Sequence, residues 1–380
     1  MTDLVARVRR RVVTDPADLD VVVRDEVEGI TDDAVLAALR RDVEAELTGA
    51  GPLEPLLALA GITDVLVNGP DAVWIDRGRG MERTPVRFAD DAAVRRLAQR
   101  LASAAGRRLD DAMPFVDAAL PDGTRLHAVL PPLTARTTMS LRVLARERHD
   151  LADLVRLQAM PGAVAGVLAA VVAARLAFVI SGGTGIGKTT LLGALLGRAP
   201  ANERLLVIED AAEVVVDHPH LVRLVARTSN VEGTGAVGLR DLVRLALRMR
   251  PDRLVVGEFR GAEMVELLVA LNTGHEGGAA TLHANSARDV PARFVALGGL
   301  GGLRADAVAT LVSSAVDAVV HLRRGRDGRR IVDEIGLLDR VGDELTVASV
   351  WSVRAGLGVA APRLAALIAD RGQPVPELLR

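Results

Sequence analysis

From residue 163 onward the chain alternates between short runs that are apolar throughout and longer segments whose apolar positions recur at helical spacing. The pattern predicts a helix over 163–174, a strand over 176–180, a helix over 188–197 and a strand over 204–208. It continues with a helix over 239–249, a strand over 253–257, a helix over 261–272 and a strand over 279–283. Strands apolar on both faces and separated by helices predict a parallel, doubly wound sheet. Two further runs, Val319 to Arg323 and Arg330 to Leu337, flank Asp327-Gly328 and predict a closing hairpin.

The first part of the chain follows a different rhythm. Val65-Leu66-Val67 and Ala72-Val73-Trp74-Ile75 are short strands separated by Asn68-Gly69-Pro70, a turn signal. Residues 90–105 carry an amphipathic helix pattern, and Ala118 to Leu130 a second hairpin around Pro121-Asp122-Gly123. The expected division is a helical extension over 1–47, an α+β domain over 48–145, a charged linker over 146–160 and an α/β domain over 161–380. Arg7, Arg9, Arg10 and Arg11 in the extension read as a solvated helix face in preference to a patch for anionic lipid or a partner.

Composition narrows the chemistry. With no cysteine, disulfides, thiolate metal sites and cysteine nucleophiles are excluded, and a reducing compartment is expected. Five Phe, two Trp and no Tyr leave little for stacking on single-stranded nucleic acid, and a net charge of −2 is no polyanion signature, so no nucleic-acid partner is expected. The hairpin arginines (Arg323, Arg324, Arg326, Arg329 and Arg330) read as a solvated turn in preference to a nucleic-acid patch. The apolar stretch Ala163–Ile180 is interrupted by Arg175 and rich in Ala and Gly, which suits a buried helix and strand better than a membrane span. Nor does Met1-Thr2-Asp3-Leu4 begin a signal-peptide core.

Of the 47 basic Lys and Arg residues, a single one, Lys188, is lysine. It sits in Gly182-Gly183-Thr184-Gly185-Ile186-Gly187-Lys188-Thr189-Thr190, between a predicted strand and a predicted helix. In such a loop glycines let backbone N–H groups turn onto phosphates, and the helix N-terminus adds partial positive charge. A compact ammonium fits inside the cradle where a forked guanidinium does not. The loop thus predicts ATP binding, with Lys188 on the β- and γ-phosphates and the Thr189 hydroxyl toward Mg²⁺.

The other strands end in polar groups: Glu209-Asp210 after 205–208, Glu258 after 254–257 and His283 after 279–282. In a parallel sheet these ends share the P-loop's edge, where ligands bind. Glu209 and Glu258 are candidates for ordering water around Mg²⁺ or polarising it, and His283 for sensing the γ-phosphate. The alternative for Glu209 and Asp210 is a simple loop cap. His218 and His220 have metal-like spacing but no further ligands beside them, and read as loop residues.

Taken together these blocks resemble the secretion or traffic ATPases of type II and type IV systems, most closely the tight-adherence (Tad/CpaF) pilus-assembly ATPases. The resemblance covers roughly residues 45 to 340 and rests on four blocks. Gly182 to Thr190 is similar to the Walker A loop, Ile208 to Glu213 to the Asp box, Leu247 to Gly261 to the Walker B region, and Thr273 to Ser286 to the His box. Ala211-Ala212 and Ser140 to Leu144 depart from the family pattern. The resemblance implies a RecA-like core, with Glu258 on the hydrolytic water, Glu209 supporting Mg²⁺, His283 beside the γ-phosphate and Arg260 linking the Walker B end to a neighbouring element. It also implies that Arg125 and Arg142 are charge-neutralising fingers from the N-terminal domain. At the level of the assembly it implies a homohexamer, peripheral at the cytoplasmic face of an inner membrane, acting on a membrane platform protein.

Overall fold

The computed structural model describes residues 49–78, 80–143, 148–227, 234–342 and 344–380. The expected helical extension over 1–47, with its arginine cluster, lies outside the described residues. The chain divides into two compact units, with the boundary between residues 145 and 146.

The first unit is a six-stranded antiparallel sheet carrying one long helix. Its strands are β1 (Asp64–Asn68), β2 (Val73–Asp76), β3 (Met81–Arg83), β4 (Phe115–Ala119), β5 (Arg125–Val129) and β6 (Thr138–Arg142), in the order β3-β2-β1-β6-β5-β4. Helix α1 (Asp91–Ala104) begins where the Asp90 carboxylate accepts the Ala93 N–H at 2.7 Å, an N-cap. It buries Val94, Leu97, Ala98, Leu101 and Ala102, spaced by three and four, against the alternate strand residues Val65, Val67, Leu126, Ala128, Met139 and Leu141.

The second unit is a nine-stranded sheet with helices on both faces. The strands are β7 (Phe178–Ser181), β8 (Leu205–Glu209), β9 (Leu221–Val225), β10 (Arg253–Val256), β11 (Ala279–Leu282), β12 (Ala318–Arg324), β13 (Arg330–Val341), β14 (Glu344–Ser352) and β15 (Gly356–Leu357). Their order is β15-β14-β13-β12-β7-β11-β10-β8-β9. From β9 to β12 every pairing is parallel; beyond β12 the pairings are antiparallel. The expected hairpin across Asp327-Gly328 forms, with β12 registered on β13.

Successive residues of the central strands enter different cores, as pleating requires. Phe178 and Ile180, with Leu205, Val207 and Val255, pack under α2 (Leu151–Arg156), α3 (Gly162–Ala173), α4 (Lys188–Leu196) and, further along the chain, Ala361–Asp370. Ala177 and Val179, with Leu206, Ile208, Leu254 and Val256, pack against helices on the opposite face. Those are α5 (Leu239–Ala246), α6 (Glu263–Leu271), α7 (Val290–Leu300) and α8 (Ala305–Ala315). This two-faced burial explains the continuous apolar runs. It also accounts for α3, whose apolar character on all sides matches a buried core helix. Among the described residues no single helix is long and apolar enough to cross a membrane.

Several segments carry structure the periodicity does not predict, α2 and α7 among them. Within residues 146–160, read as linker, α2 forms behind a capping box: Asp150 accepts the Asp153 N–H at 2.7 Å and Asp153 accepts the Asp150 N–H at 2.9 Å. Leu151 and Leu154 anchor that helix in the core. Later, α7 passes α8 so closely that a Cβ at Gly298 would stand 2.2 Å from Val308 Cγ2.

Candidate functional site

The parallel strands β7, β8, β10 and β11 all end on one edge, which gathers residues far apart in sequence. Between β7 and α4 the loop 182–187 turns back on itself. Gly182 adopts φ 153° and has Leu322 so near that a Cβ would lie 2.7 Å from its carbonyl oxygen. Gly187, at φ 93°, is the N-cap of α4 and offers no side-chain cap, so the first-turn N–H groups are left for an external acceptor. The donors that this loop leaves open are therefore backbone N–H groups, a chemistry suited to an anion.

Lys188 is 6% exposed and folds over this loop. Its Nζ donates to the Gly183 carbonyl at 2.9 Å and to the Gly182 carbonyl at 3.1 Å, and lies 3.3 Å from His283 Nδ1. An ammonium has only donors, so Nδ1 is the acceptor and His283 carries its proton on Nε2. Nε2 lies 2.5 Å from Glu258 Oε1. Both Nε and Nη2 of Arg260 reach the other Glu258 oxygen, at 2.8 and 2.7 Å, and Arg260 Nη1 lies 3.3 Å from Asp210 Oδ2. The result is one continuous chain of opposite or hydrogen-bonded groups: Lys188, His283, Glu258, Arg260, Asp210.

Electrostatics follow from that order. Burial lowers the Lys188 pKa, against the opposing charges of Glu258 and Glu213. Burial, and then the neighbouring Lys188 charge, lowers the His283 pKa and keeps the ring neutral, in agreement with the tautomer derived from geometry. Burial works against the Arg260 charge, but the hydrogen bond and charge of Glu258 outweigh it, and its pKa is raised.

Glu209 stands apart. Its Oε1 accepts the backbone N–H groups of Glu213 and Val214, at 2.9 and 2.7 Å, so the carboxylate ties down the loop after β8. Arg223 Nε lies 3.2 Å from the other oxygen without a well-aligned hydrogen bond. Burial pushes the Glu209 carboxyl up to about 7. The loop-capping alternative thus describes Glu209, while Asp210 joins the Lys188–Glu258 chain. Among the described residues no group of three or more His, Asp or Glu is arranged to hold a metal ion. His218 and His220 contact the segment before β8: His218 Nε2 lies 3.0 Å from the Pro200 carbonyl oxygen and His220 Nε2 lies 3.0 Å from Arg204 Nη1.

Two residues that the sequence did not single out brace the Glu258 segment. Glu263 Oε1 accepts the N–H groups of Arg260 and Gly261, at 2.5 and 2.7 Å, at the head of α6. Thr281 donates to the Gly257 carbonyl at 2.7 Å, and its own carbonyl accepts the Phe259 N–H at 2.9 Å. The signal for Glu263 was its spacing, three residues beyond Arg260 at a helix start. Of the hairpin arginines, Arg323 pairs with Asp333 at 2.5 Å, and Arg329 lies 3.3 Å from Asp327 in the turn.

In the first unit, Arg125 and Arg142 stand opposite one another in the β5–β6 register, and Arg142 stands opposite Asp64 in the β1–β6 register. Arg142 Nε donates to Asp64 Oδ1 at 3.1 Å. The two arginines chosen from separate sequence segments therefore stand, with Asp64, in one row across three strands.

The family model described as type II/IV secretion system protein matches residues 46–340. A putative conjugal transfer protein of Mycobacterium tuberculosis is 54% identical over 347 residues, covering 90% of this chain and 98% of that one. The type IV secretion system protein PtlH of Bordetella pertussis is 32% identical over 316 residues, covering 76% of this chain and 93% of that one. In fold, the chain is similar to the Legionella pneumophila ATPase DotB, with a TM-score of 0.52 at 18% identity, covering 79% of this chain and 81% of that one. On the extent of the family match and the length of these shared alignments, the chain belongs to the type II/IV secretion system protein family.

Proposed function

We propose that the protein is an ATP-hydrolysing motor with a RecA-like core, working as a ring at the cytoplasmic face of an inner membrane. The observation that carries this reading is the unbroken chain from Lys188 through His283 to Glu258 and Arg260 at the mouth of the phosphate loop. ATP would lay its phosphates on the loop of Gly182, Gly183, Thr184, Gly185, Ile186 and Gly187, with Thr190 on the following turn. Lys188 would exchange its carbonyl partners for the β- and γ-phosphate oxygens. Mg²⁺, when bound, would neutralise phosphate charge, held by the Thr189 hydroxyl together with the substrate and by Glu258 through water.

Glu258 is the general base in this reading. One of its oxygens is held by neutral His283 and the other by Arg260, which fixes the carboxylate while leaving it 21% exposed to receive a proton. His283, contacting both Lys188 and Glu258, couples phosphate occupancy to the base. Glu209 serves by holding the loop that carries Asp210 and Glu213, with a metal role secondary. Arg125 and Arg142 are proposed as the charge-neutralising fingers.

Purified oligomer should hydrolyse ATP, and Glu258→Gln should lower kcat by about 100-fold or more with ATP still bound. Hydrolysis that survives this substitution removes Glu258 from its role. Binding without hydrolysis in the wild type would replace the motor with a nucleotide-dependent switch.

For the system served, the four motif blocks support Tad/Flp-type pilus assembly, with homohexamer strokes transmitted to a membrane platform protein. A second reading, conjugal transfer or type IV secretion, is favoured by the names carried by the Mycobacterium tuberculosis and Bordetella pertussis relatives. Affinity capture of membrane partners separates them: pilin-like and platform proteins support the first, a mating-pore or translocation channel the second.

A further inference from the structure

One of the hairpin arginines, which the sequence pattern places in a solvated turn, faces the phosphate loop. In the β12–β13 ladder Leu322 stands opposite Val332, Arg323 opposite Ile331 and Arg324 opposite Arg330. Alternate residues share a face, so Arg324 and Arg330 lie on the side of Leu322 and Val332, which bury in the core shared with α4. Arg323 is on the other side, paired with Asp333. Arg324 Nη1 turns back to the Gly328 carbonyl at 3.5 Å. The Arg330 stem runs to α4 instead: a Cβ on Gly187, the N-cap of that helix, would lie 3.7 Å from Arg330 Cδ. The guanidinium begins one bond beyond that atom, at the edge of the phosphate loop.

Electrostatics make this placement unfavourable without an anion. The N-terminus of a helix carries partial positive charge and repels a cation. Lys188 already stands there, and Arg330 brings a second cation in an exposed position, a combination that gains from an anion between them. The hairpin that carries Arg330 is also held in place. The Val332 N–H donates to the Ala159 carbonyl at 2.9 Å, and the turn is closed by Gly325 N–H on the Arg329 carbonyl at 2.7 Å.

Sheet order then gives a direction. Strand β7 has β11 on one side and β12 on the other. His283 after β11 and Glu258 after β10, the groups proposed to act at the γ-phosphate, lie on the first side. A phosphate chain with its γ end there runs its α end and nucleoside toward β12 and the hairpin.

We propose that Arg330 is a nucleotide-binding residue that grips the α-phosphate of ATP, from the side of the loop opposite Glu258. This role rests on the ATP-binding reading and supplies a contact for the end of the phosphate chain that Lys188 does not hold. A contact remote from the reacting γ-phosphate is made equally in the ground and transition states, so Arg330 sets affinity and leaves the chemical step alone.

The test compares wild type with Arg330→Ala, Arg330→Met and Arg330→Lys. ATP and ADP are titrated directly and inorganic pyrophosphate by competition, alongside kcat, KM and thermal melting without nucleotide. The side chain is exposed, so all three variants should melt with the wild type. Arg330→Ala should weaken ATP and ADP about tenfold or more and raise KM to match, with kcat within about threefold. Pyrophosphate, which needs only the Lys188 end of the site, should weaken by less than about threefold. Arg330→Met keeps a stem against Gly187 without the charge and should match the Ala variant, while Arg330→Lys should recover part of the loss. Unchanged ADP affinity in Arg330→Ala, wild-type affinity in Arg330→Met, or an equal loss for pyrophosphate overturns the proposal. A wild type that binds ATP without hydrolysing it overturns the motor reading instead, and the affinities still decide the role of Arg330. A wild type with no affinity for ATP overturns the ATP-binding reading and this role with it.

Discussion

Strand β10 carries a charged cluster at each end, and the two are built on opposite rules. At its beginning Arg253, 1% exposed, donates to Glu203 at 2.5 Å; Arg175 donates to the same carboxylate at 2.9 Å and to the Asp252 carbonyl at 2.8 Å. Past its end stands the Lys188–His283–Glu258–Arg260–Asp210 chain, with His283 37% and Arg260 53% exposed. The first cluster knits together the starts of β7, β8 and β10, where nothing needs to enter. Apart from Lys188, the second keeps its groups within reach of solvent, and its members can change partners. A closed ion cluster is worth little net stability yet is costly to break, whereas an open one can exchange bonds during a reaction. The same strand therefore has an inert end and a chemical end, and the difference lies in burial more than in residue type.

Substitutions can break or sharpen this contrast. Arg253→Ala leaves Glu203 buried with half its partners, and chemical denaturation should show a loss of about 3–5 kcal/mol; a loss under about 1 kcal/mol would erase the distinction between the two ends. Glu209 tests it differently, because it sits at the chemical end but is buried like the inert one. Its folded pKa of about 7 stands above the ordinary 4.5, so the folded state binds the proton more tightly. Stability is therefore full below 4.5 and falls as pH rises toward about 7, by on the order of 3 kcal/mol. Denaturation at pH 5 and pH 8 should show this slope in the wild type and a flatter one in Glu209→Gln. Equal slopes would show that the carboxylate is solvated.

At the chemical end, Lys188→Arg preserves charge but not shape. Turnover should drop by about 100-fold, or ~2.7 kcal/mol, with little change in melting; an active Arg variant would deny the lysine its special fit. The smallest effect is expected where charges meet in solvent. Arg363 and Asp339 are 50% and 38% exposed at 2.7 Å, and Arg363→Ala should cost only ~0.2–1 kcal/mol in denaturation. A larger loss would mean that exposure does not set the scale.

The sequence made the chemical end legible and the inert end nearly invisible. Glycines, a lone lysine and acids at strand ends are local signals, and parallel pairing converts them into one edge. Arg175, Glu203 and Arg253, by contrast, are ordinary charged residues until the fold buries them together. Helix α7 was obscured for a related reason: Gly298 and Gly299 lower its helical propensity, and only its packing against Val308 explains the first of them. Strand β9, with Arg223 in its middle, reads weakly because it is an edge strand. The orientation of Glu209 was not legible either. Whether a carboxylate turns toward a ligand or its own loop depends on backbone N–H groups at 213 and 214 that no pattern of residue types announces.

The large sheet ends on one side in β15, two residues long, and on the other in β9, whose Arg223 is folded back onto the Val214 carbonyl. Each terminal strand thus offers another chain only a short row of backbone groups, two residues in β15 and five in β9. Short terminal strands of this kind lower the risk that the sheets of crowded copies zip into a continuous ribbon. A chain that works in company gains from borders of this kind, since its neighbours remain separable.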